Sequence, residues 1–168
     1  MKRDSEFGAA LEPLLLSAGA GLLDCQRLEY GLGLLLLYLG RLGVRGVSPD
    51  QMRAVLDGQK ELTAGQLASL LGDRVPVEAN LAAVLADGLE ARNALIHGFL
   101  LRNFDRALDP ATREDVLSEL RALRLRVQAA EHVIRPHASR LLERLDGLTA
   151  EQMWELALGV FHGKEPTR

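Results

Sequence analysis

The chain of 168 residues has the length of a single domain. Hydrophobic residues make up 48% of it and charged residues 26%, a balance that excludes an intrinsically disordered protein. The formal net charge of −3 excludes a whole-protein basic field that would attract nucleic acid or an anionic membrane. Cys25 is the one cysteine, so an internal disulfide is impossible and a cysteine-based zinc site is not expected.

The N-terminal segment starts like a signal peptide, but Asp4, Glu6 and Glu12 interrupt it and no cleavage site follows. The most apolar stretch, residues 30–40, is shorter than the roughly 20 residues that span a bilayer. Such a segment is typical of a buried core helix. We therefore expect a cytoplasmic protein that does not enter a membrane.

Nearly every segment has the pattern of a helix, because Leu and Ala are abundant and no alternating run is long enough for a strand. Helices are predicted over residues 5–18, 21–42, 49–57, 64–71, 77–104, 110–135, 137–146 and 150–161. Ser48, Thr63 and Thr149 each precede a glutamine by three residues, which predicts capping boxes at three helix starts. Pro136 predicts a break between two helices.

These elements predict one all-α domain over residues 1–168, folded as a helical bundle. The two short helices within residues 49–71 form an insertion between long core helices. The insertion has the outline of a helix-turn-helix, but its charged residues are of mixed sign: Asp50, Arg53, Asp57, Lys60 and Glu61. Because it lacks a basic recognition face, we expect no binding to DNA.

The predicted helix over residues 77–104 carries polar residues on a largely apolar surface. At about 100° per residue, one face holds Leu81, Leu85, Leu89, Ile96 and Phe99, with Arg92 in its middle. An unpaired guanidinium there would be costly, so Arg92 must pair with a carboxylate, reach a cleft or lie at an interface. Glu29, beside the most apolar stretch, is either the partner of Arg92, a cleft residue or a surface acid. A second polar stripe holds Glu90, Asn93 and His97, of which the last two are neighbours one turn apart.

Residues 91–100, ARNALIHGFL, resemble the signature of the HEPN superfamily, the higher-eukaryote and prokaryote nucleotide-binding domains. That signature is an Arg, a polar residue that is often Asn, a few further residues and then a His, on a late long helix of an α-helical bundle. Arg92, Asn93 and His97 match it, and a long apolar early helix bearing Glu29 is also similar to these domains. The resemblance implies a helical bundle of the HEPN type.

Many HEPN proteins are metal-independent endoribonucleases, often toxins or defence effectors, that act as homodimers. The resemblance implies that Arg92, Asn93 and His97 line a cleft at a two-fold interface and cleave RNA by attack of the 2′-hydroxyl. An imidazole suits general acid–base catalysis near neutral pH, and the permanent charge of Arg92 suits the scissile phosphate. Asn93 would orient the substrate, with Glu29 and Glu90 as supporting residues. No metal or cofactor is implied.

One position departs from the HEPN toxins that are paired with a nucleotidyltransferase antitoxin. Their motif ends His-x-Tyr and that Tyr is modified, whereas here the position is Phe99, which has no hydroxyl. Nucleotidylation is therefore not expected at this site, while an antitoxin or a neighbouring-gene protein stays among the expected partners. The alternative function, from another class, is a non-catalytic HEPN-like module for dimerisation or interaction. In that module Arg92 and His97 would form a structural polar network.

Overall fold

A computed structural model describes residues 2–75 and 77–147, and in these ranges it contains helices and no strand. The helices are α1 (Lys2–Arg41), α2 (Pro49–Leu56), α3 (Ala64–Arg74), α4 (Ala79–Ile96), α5 (Phe99–Arg102), α6 (Phe104–Leu108) and α7 (Arg113–Asp146). The predicted all-α helical bundle is confirmed. The predicted helix over residues 150–161 and the capping box at Thr149 lie outside the described residues.

The short helices of the insertion begin at the predicted caps. Thr63 Oγ1 accepts a hydrogen bond from the Gln66 N–H at 3.2 Å, and Gln66 Oε1 accepts one from the Thr63 N–H at 2.8 Å. These two bonds satisfy two backbone donors at the start of α3, so the predicted capping box is confirmed. At α2 only one bond of the predicted capping box forms, in which Ser48 Oγ accepts from the Gln51 N–H at 3.3 Å, and Pro49 occupies the first helical position.

Two predicted helix breaks are wrong, because both terminal helices are continuous. The predicted helices 5–18 and 21–42 form the single α1, and those over 110–135 and 137–146 form the single α7, which passes through Pro136. Packing on both sides of the proline explains its tolerance, since Ile134 and Ala138 are both buried against α1. Burial of these side chains outweighs the one backbone hydrogen bond that a proline removes.

The prediction of one continuous helix over residues 77–104 is also wrong, because the structure divides this segment into shorter helices. α4 ends at Ile96, and the chain turns through Gly98, whose φ of 103° is left-handed, before α5 and α6. Glycine adopts this conformation without a Cβ clash, so it favours the end of a helix here. The turn buries Phe99 and leaves Ile96 38% exposed, so these two residues do not share one apolar face.

Helix α1 is the centre of the bundle, with α7 and α4 packed along it. A Cβ placed on Gly21 would lie 3.2 Å from Arg124 Cγ, and one on Gly31 would lie 3.6 Å from Ile134 Cγ2, so α1 and α7 run parallel. Gly21 also faces Leu95 of α4. The largest core cluster joins α1 to α2, α3, α4 and α7, while a second cluster joins the N-terminal half of α1 to α5, α6 and the start of α7.

The hairpin of α2 and α3 covers only the C-terminal half of α1. A Cβ on Gly33 would lie 2.8 Å from Leu56 Cδ2, and one on Gly40 would lie 3.2 Å from the Pro49 ring. These small residues therefore admit the insertion at close range. Within residues 2–75 and 77–147, none of the helices has the length and apolarity that crossing a membrane requires.

Candidate functional site

Arg92 reaches from α4 to α1 and forms an ion pair with Glu29. Its Nη2 donates a hydrogen bond to Glu29 Oε1, and the two side chains are 14% and 31% exposed. Of the alternatives that the sequence left open for Arg92, the structure shows pairing with a carboxylate, and that carboxylate is Glu29. Because the guanidinium is largely buried, the carboxylate compensates the loss of hydration that an isolated charge would suffer.

The side chain of Asn93 accepts a hydrogen bond from the other terminal nitrogen of the Arg92 guanidinium. Arg92 Nη1 donates to Asn93 Oδ1 at 3.1 Å, and the Asn93 side chain is exposed. With its oxygen engaged, the amide NH2 of Asn93 is the part left to bind something else. Arg92 Nε is buried and has no hydrogen-bond partner among the described residues.

The Arg92–Glu29 pair lines an open cleft of about 670 Å³ between α1, the α2–α3 hairpin and α4. The polar lining residues are Gln26, Glu29, Tyr30, Lys60, Glu61, Thr63, Gln66 and Arg92, and the apolar ones include Leu62 and Leu67. The cleft thus combines two cations, two carboxylates and an apolar wall. Its charges nearly cancel, so it has no strong preference for an anion.

His97 lies outside this cleft, at the end of α4. Its backbone carbonyl accepts a hydrogen bond from Arg102 Nη1 at 2.9 Å, while the second nitrogen of Arg102 approaches the Ala94 carbonyl at 3.5 Å. The His97 side chain is exposed, and its imidazole has no hydrogen-bond partner among the described residues. The matched motif is therefore divided, with Arg92 in the cleft, Asn93 beside it and His97 one turn beyond.

Glu90 is placed away from Arg92, on the side of α4 that faces α7. It is 79% exposed and accepts a hydrogen bond from Arg126 Nη2 at 3.1 Å. The same guanidinium binds Asp87 at 2.7 Å and lowers the pKa of that carboxyl through its hydrogen bonds. Glu90 thus belongs to a surface ion-pair group with Arg126 and does not meet the other predicted site residues.

Cys25 lies buried beneath the ion pair and is 1% exposed. Burial raises the pKa of its thiol from 9.0 to about 11; the charge of Arg92 opposes this effect, and those of Glu29 and Asp24 add to it. A thiol with this pKa is protonated at neutral pH and does not act as a nucleophile. Cys25 is therefore a small residue of the hydrophobic core.

A buried network between α1 and α7 was not predicted from sequence. Asp24, only 8% exposed, accepts hydrogen bonds from Arg124 Nε at 3.0 Å and from Gln128 Nε2 at 2.9 Å. Arg124 also donates to Ser17 at 3.4 Å. The available signal was a carboxylate and a serine within the buried stripe of α1, but their partners are about a hundred residues away in sequence.

No protein-family model, no curated protein and no solved structure matches the chain. The resemblance to the HEPN superfamily therefore depends on residues 91–100 and on the helical pattern around them.

Proposed function

We propose that the chain is a metal-independent endoribonuclease of the HEPN toxin or defence type, which acts as a homodimer in the cytoplasm. The observation that carries this proposal is the exposed imidazole of His97, which has no hydrogen-bond partner among the described residues and lies one helical turn from the amide of Asn93. An unpaired imidazole is able to accept and donate a proton near neutral pH. RNA cleavage by attack of the 2′-hydroxyl needs both steps.

Within this proposal Arg92 is a positioning residue. Its two terminal nitrogens are engaged by Glu29 and Asn93, so the guanidinium fixes the oxygen of Asn93 and turns its NH2 group outward. A direct grip of Arg92 on the scissile phosphate, expected from the resemblance, would require it to leave Glu29. Breaking a largely buried pair of this kind costs several kcal/mol.

Arg102 is better placed to meet the phosphate. It is exposed, it donates to two backbone carbonyls beside His97, and it has no carboxylate partner among the described residues. Its positive charge is therefore not neutralised. A guanidinium next to a general acid–base group would stabilise the extra negative charge that forms on phosphorus during cleavage.

The second candidate function is the non-catalytic interaction module. The observation in its favour is that the terminal nitrogens of Arg92 are already satisfied inside the chain, as in a purely structural network. In that case His97 is a surface residue without a chemical role. The two candidates differ in whether substitution at His97 changes a measurable activity.

The test is cleavage of a broad RNA pool by purified protein in the presence of EDTA. We compare the wild type with His97→Ala and Arg102→Ala, and use His132→Ala as the matched control because His132 is an exposed histidine on α7. We expect cleavage by the wild type and the control and a loss of at least about a hundredfold at His97. No cleavage by a folded wild type, or equal cleavage by all variants, would contradict the proposal.

A further inference from the structure

The face of α1 that α2 and α3 cover near Gly33 and Gly40 is not covered by any other described helix toward the N-terminus. Gly19 lies on the same side of the helix as Gly33, and a Cβ on it would meet nothing within 4 Å. Around it, four leucines are exposed: Leu15 59%, Leu16 67%, Leu22 48% and Leu23 59%. These four leucines and Gly19 form what we term the open face of α1. Four exposed leucines on one helix face are more than scattered surface residues.

The residues of the open face are arranged symmetrically along the helix. Leu15 and Leu16 precede Gly19 by the same distances at which Leu23 and Leu22 follow it. If a second helix lies on this face antiparallel to the first, with a two-fold axis at Gly19, each pair of leucines meets the opposite pair of the partner. A surface that matches itself in this way is what an isologous dimer requires.

The charged residues at the two ends support the same arrangement. Glu12 lies before the leucines and Arg27 after them, both are exposed, and neither has an ion-pair partner among the described residues. In an antiparallel pair with its axis at Gly19, Glu12 of each copy lies opposite Gln26 of the other and next to its Arg27. In a parallel pair, like charges would face each other, which is unfavourable.

We infer that the open face of α1 is the interface of a homodimer, in which the α1 helices of two copies pack antiparallel across a two-fold axis at Gly19. The leucines supply roughly 400 Å² of apolar surface per copy, about half of what each partner of a standard interface buries. Gly19 adds to this contact, because its missing side chain lets the two backbones approach closely. The remaining area comes from the flanking polar residues.

This inference rests on the proposed function, which needs a homodimer, and it names the surface through which the copies meet. The contacts of α4 place the candidate site relative to this surface. Arg92 pairs with Glu29 and Leu95 lies against Gly21, so α4 runs antiparallel to α1. Gly21 is about 200° from Gly19 around the helix, so α4 packs on the side of α1 opposite the open face. Each copy in the dimer therefore carries its His97 away from the interface.

The first test is the oligomeric state, measured by sedimentation velocity over a range of concentrations. Leu16→Glu and Leu23→Glu each place carboxylates in the interface, and we expect the dimer Kd to rise by at least roughly a hundredfold. Leu42→Glu is the matched control, because Leu42 is an exposed leucine with the same 48% exposure as Leu22 but lies beyond α1. Circular dichroism verifies that every variant keeps its helix content.

The second test determines the direction of packing. Gly19→Cys places a thiol at the axis, where a short bis-maleimide is expected to link the two copies. Gln26→Cys lies away from the axis and is expected not to be linked in an antiparallel dimer, whereas a parallel dimer would be linked at both positions. The native Cys25 is 1% exposed and does not compete.

Charge reversal gives an independent measure of the same geometry. Glu12→Arg is expected to weaken an antiparallel dimer, because it places a like charge next to the partner's Arg27. The double variant Glu12→Arg with Arg27→Glu restores the attraction and is expected to restore the dimer.

Three results would overturn the inference. They are a monomeric wild type at tens of micromolar, a dimer that Leu16→Glu and Leu23→Glu leave unchanged, or a dimer that only Leu101→Glu on α5 dissociates. In the first of these cases, a shift in the fluorescence of Trp154 on Leu16→Glu would assign the leucines to residues 148–168 of the same chain. None of these measurements uses RNA, so failure of the dimer and failure of the ribonuclease are separate results.

Discussion

Helices α4 and α7 approach each other closely at Gly88, and Gly88→Ala tests whether that contact limits the packing of the bundle. A Cβ on Gly88 would lie 2.3 Å from Ala130 Cβ and 3.1 Å from the Arg126 carbonyl oxygen. Ordinary carbon contacts are about 3.5–4.0 Å, so the helices must separate by more than roughly 1 Å. A methyl group on the backbone has no rotamer with which to avoid the clash.

The expected cost follows from two opposing terms. Overpacking a core contact costs about 1–3 kcal/mol, and a backbone-fixed clash belongs at the upper end of that range. Replacing glycine by alanine inside a helix stabilises the helix by about 1 kcal/mol, because alanine has the higher helix propensity. We therefore expect Gly88→Ala to lower the free energy of unfolding by about 2 kcal/mol, or the Tm by roughly 4–8 °C.

The assay is urea denaturation followed by circular dichroism, at one protein concentration for all variants. Gly72→Ala is the matched control, because a Cβ on Gly72 within α3 would meet nothing within 4 Å. That control is expected to gain up to about 1 kcal/mol. The double variant Gly88→Ala with Ala130→Gly moves the methyl group across the contact and is expected to recover part of the loss. An increase in stability for Gly88→Ala alone would refute the reasoning.

Three further predictions concern single side chains. Arg92→Ala leaves Glu29 without its partner and is expected to lower the free energy of unfolding in urea by about 2–4 kcal/mol. The double variant with Glu29→Ala is expected to recover part of that loss. An Arg92→Ala variant as stable as the wild type would contradict a structural ion pair. Burial raises the pKa of the Cys25 thiol from 9.0 to about 11, so the folded state holds the thiol proton more tightly than the unfolded state. The protonated thiol therefore makes its full contribution to stability below pH 9, and this contribution is lost as the pH rises toward 11. Relative to Cys25→Ala, the wild type is expected to lose roughly 2 kcal/mol over that interval, and equal pH profiles would contradict the burial effect. Pro136→Ala returns a backbone donor to α7 and is expected to raise the Tm, whereas a lower Tm would show that the proline stabilises the helix.

The sequence allowed the helices to be recognised but not all of their ends. The caps of α2 and α3 depend on residues three positions apart, so local sequence contains the whole interaction. The continuity of α7 through Pro136 depends instead on contacts with α1 that no local pattern records. The interruption at Gly98 was hidden because the apolar period continues across it, although glycine at that position was a signal for a helix end.

The candidate site was predictable to a similar degree. The pairing of Arg92 with Glu29 was one of the alternatives that follow from the cost of an unpaired charge among apolar residues, which is a physical constraint independent of distance in sequence. The separation of His97 from the cleft follows from helix geometry, since five residues place His97 about 140° around α4 from Arg92, on the second polar stripe. Glu90 lay on the predicted polar stripe, but the structure directs it to Arg126, whose position depends on how α7 packs.

The parallel packing of α1 against α7 has a consequence for how the chain folds. Helical proteins usually fold quickly because most of their contacts are local in sequence. Here the central contacts close long loops, such as Asp24 with Arg124 and Ser17 with Arg124, at separations of 100 and 107 residues. During synthesis α1 emerges before α7, so the side of α1 that packs against α7 stays uncovered for several seconds at roughly 5–20 residues per second. The nascent chain is therefore expected to need protection from aggregation until α7 leaves the ribosome.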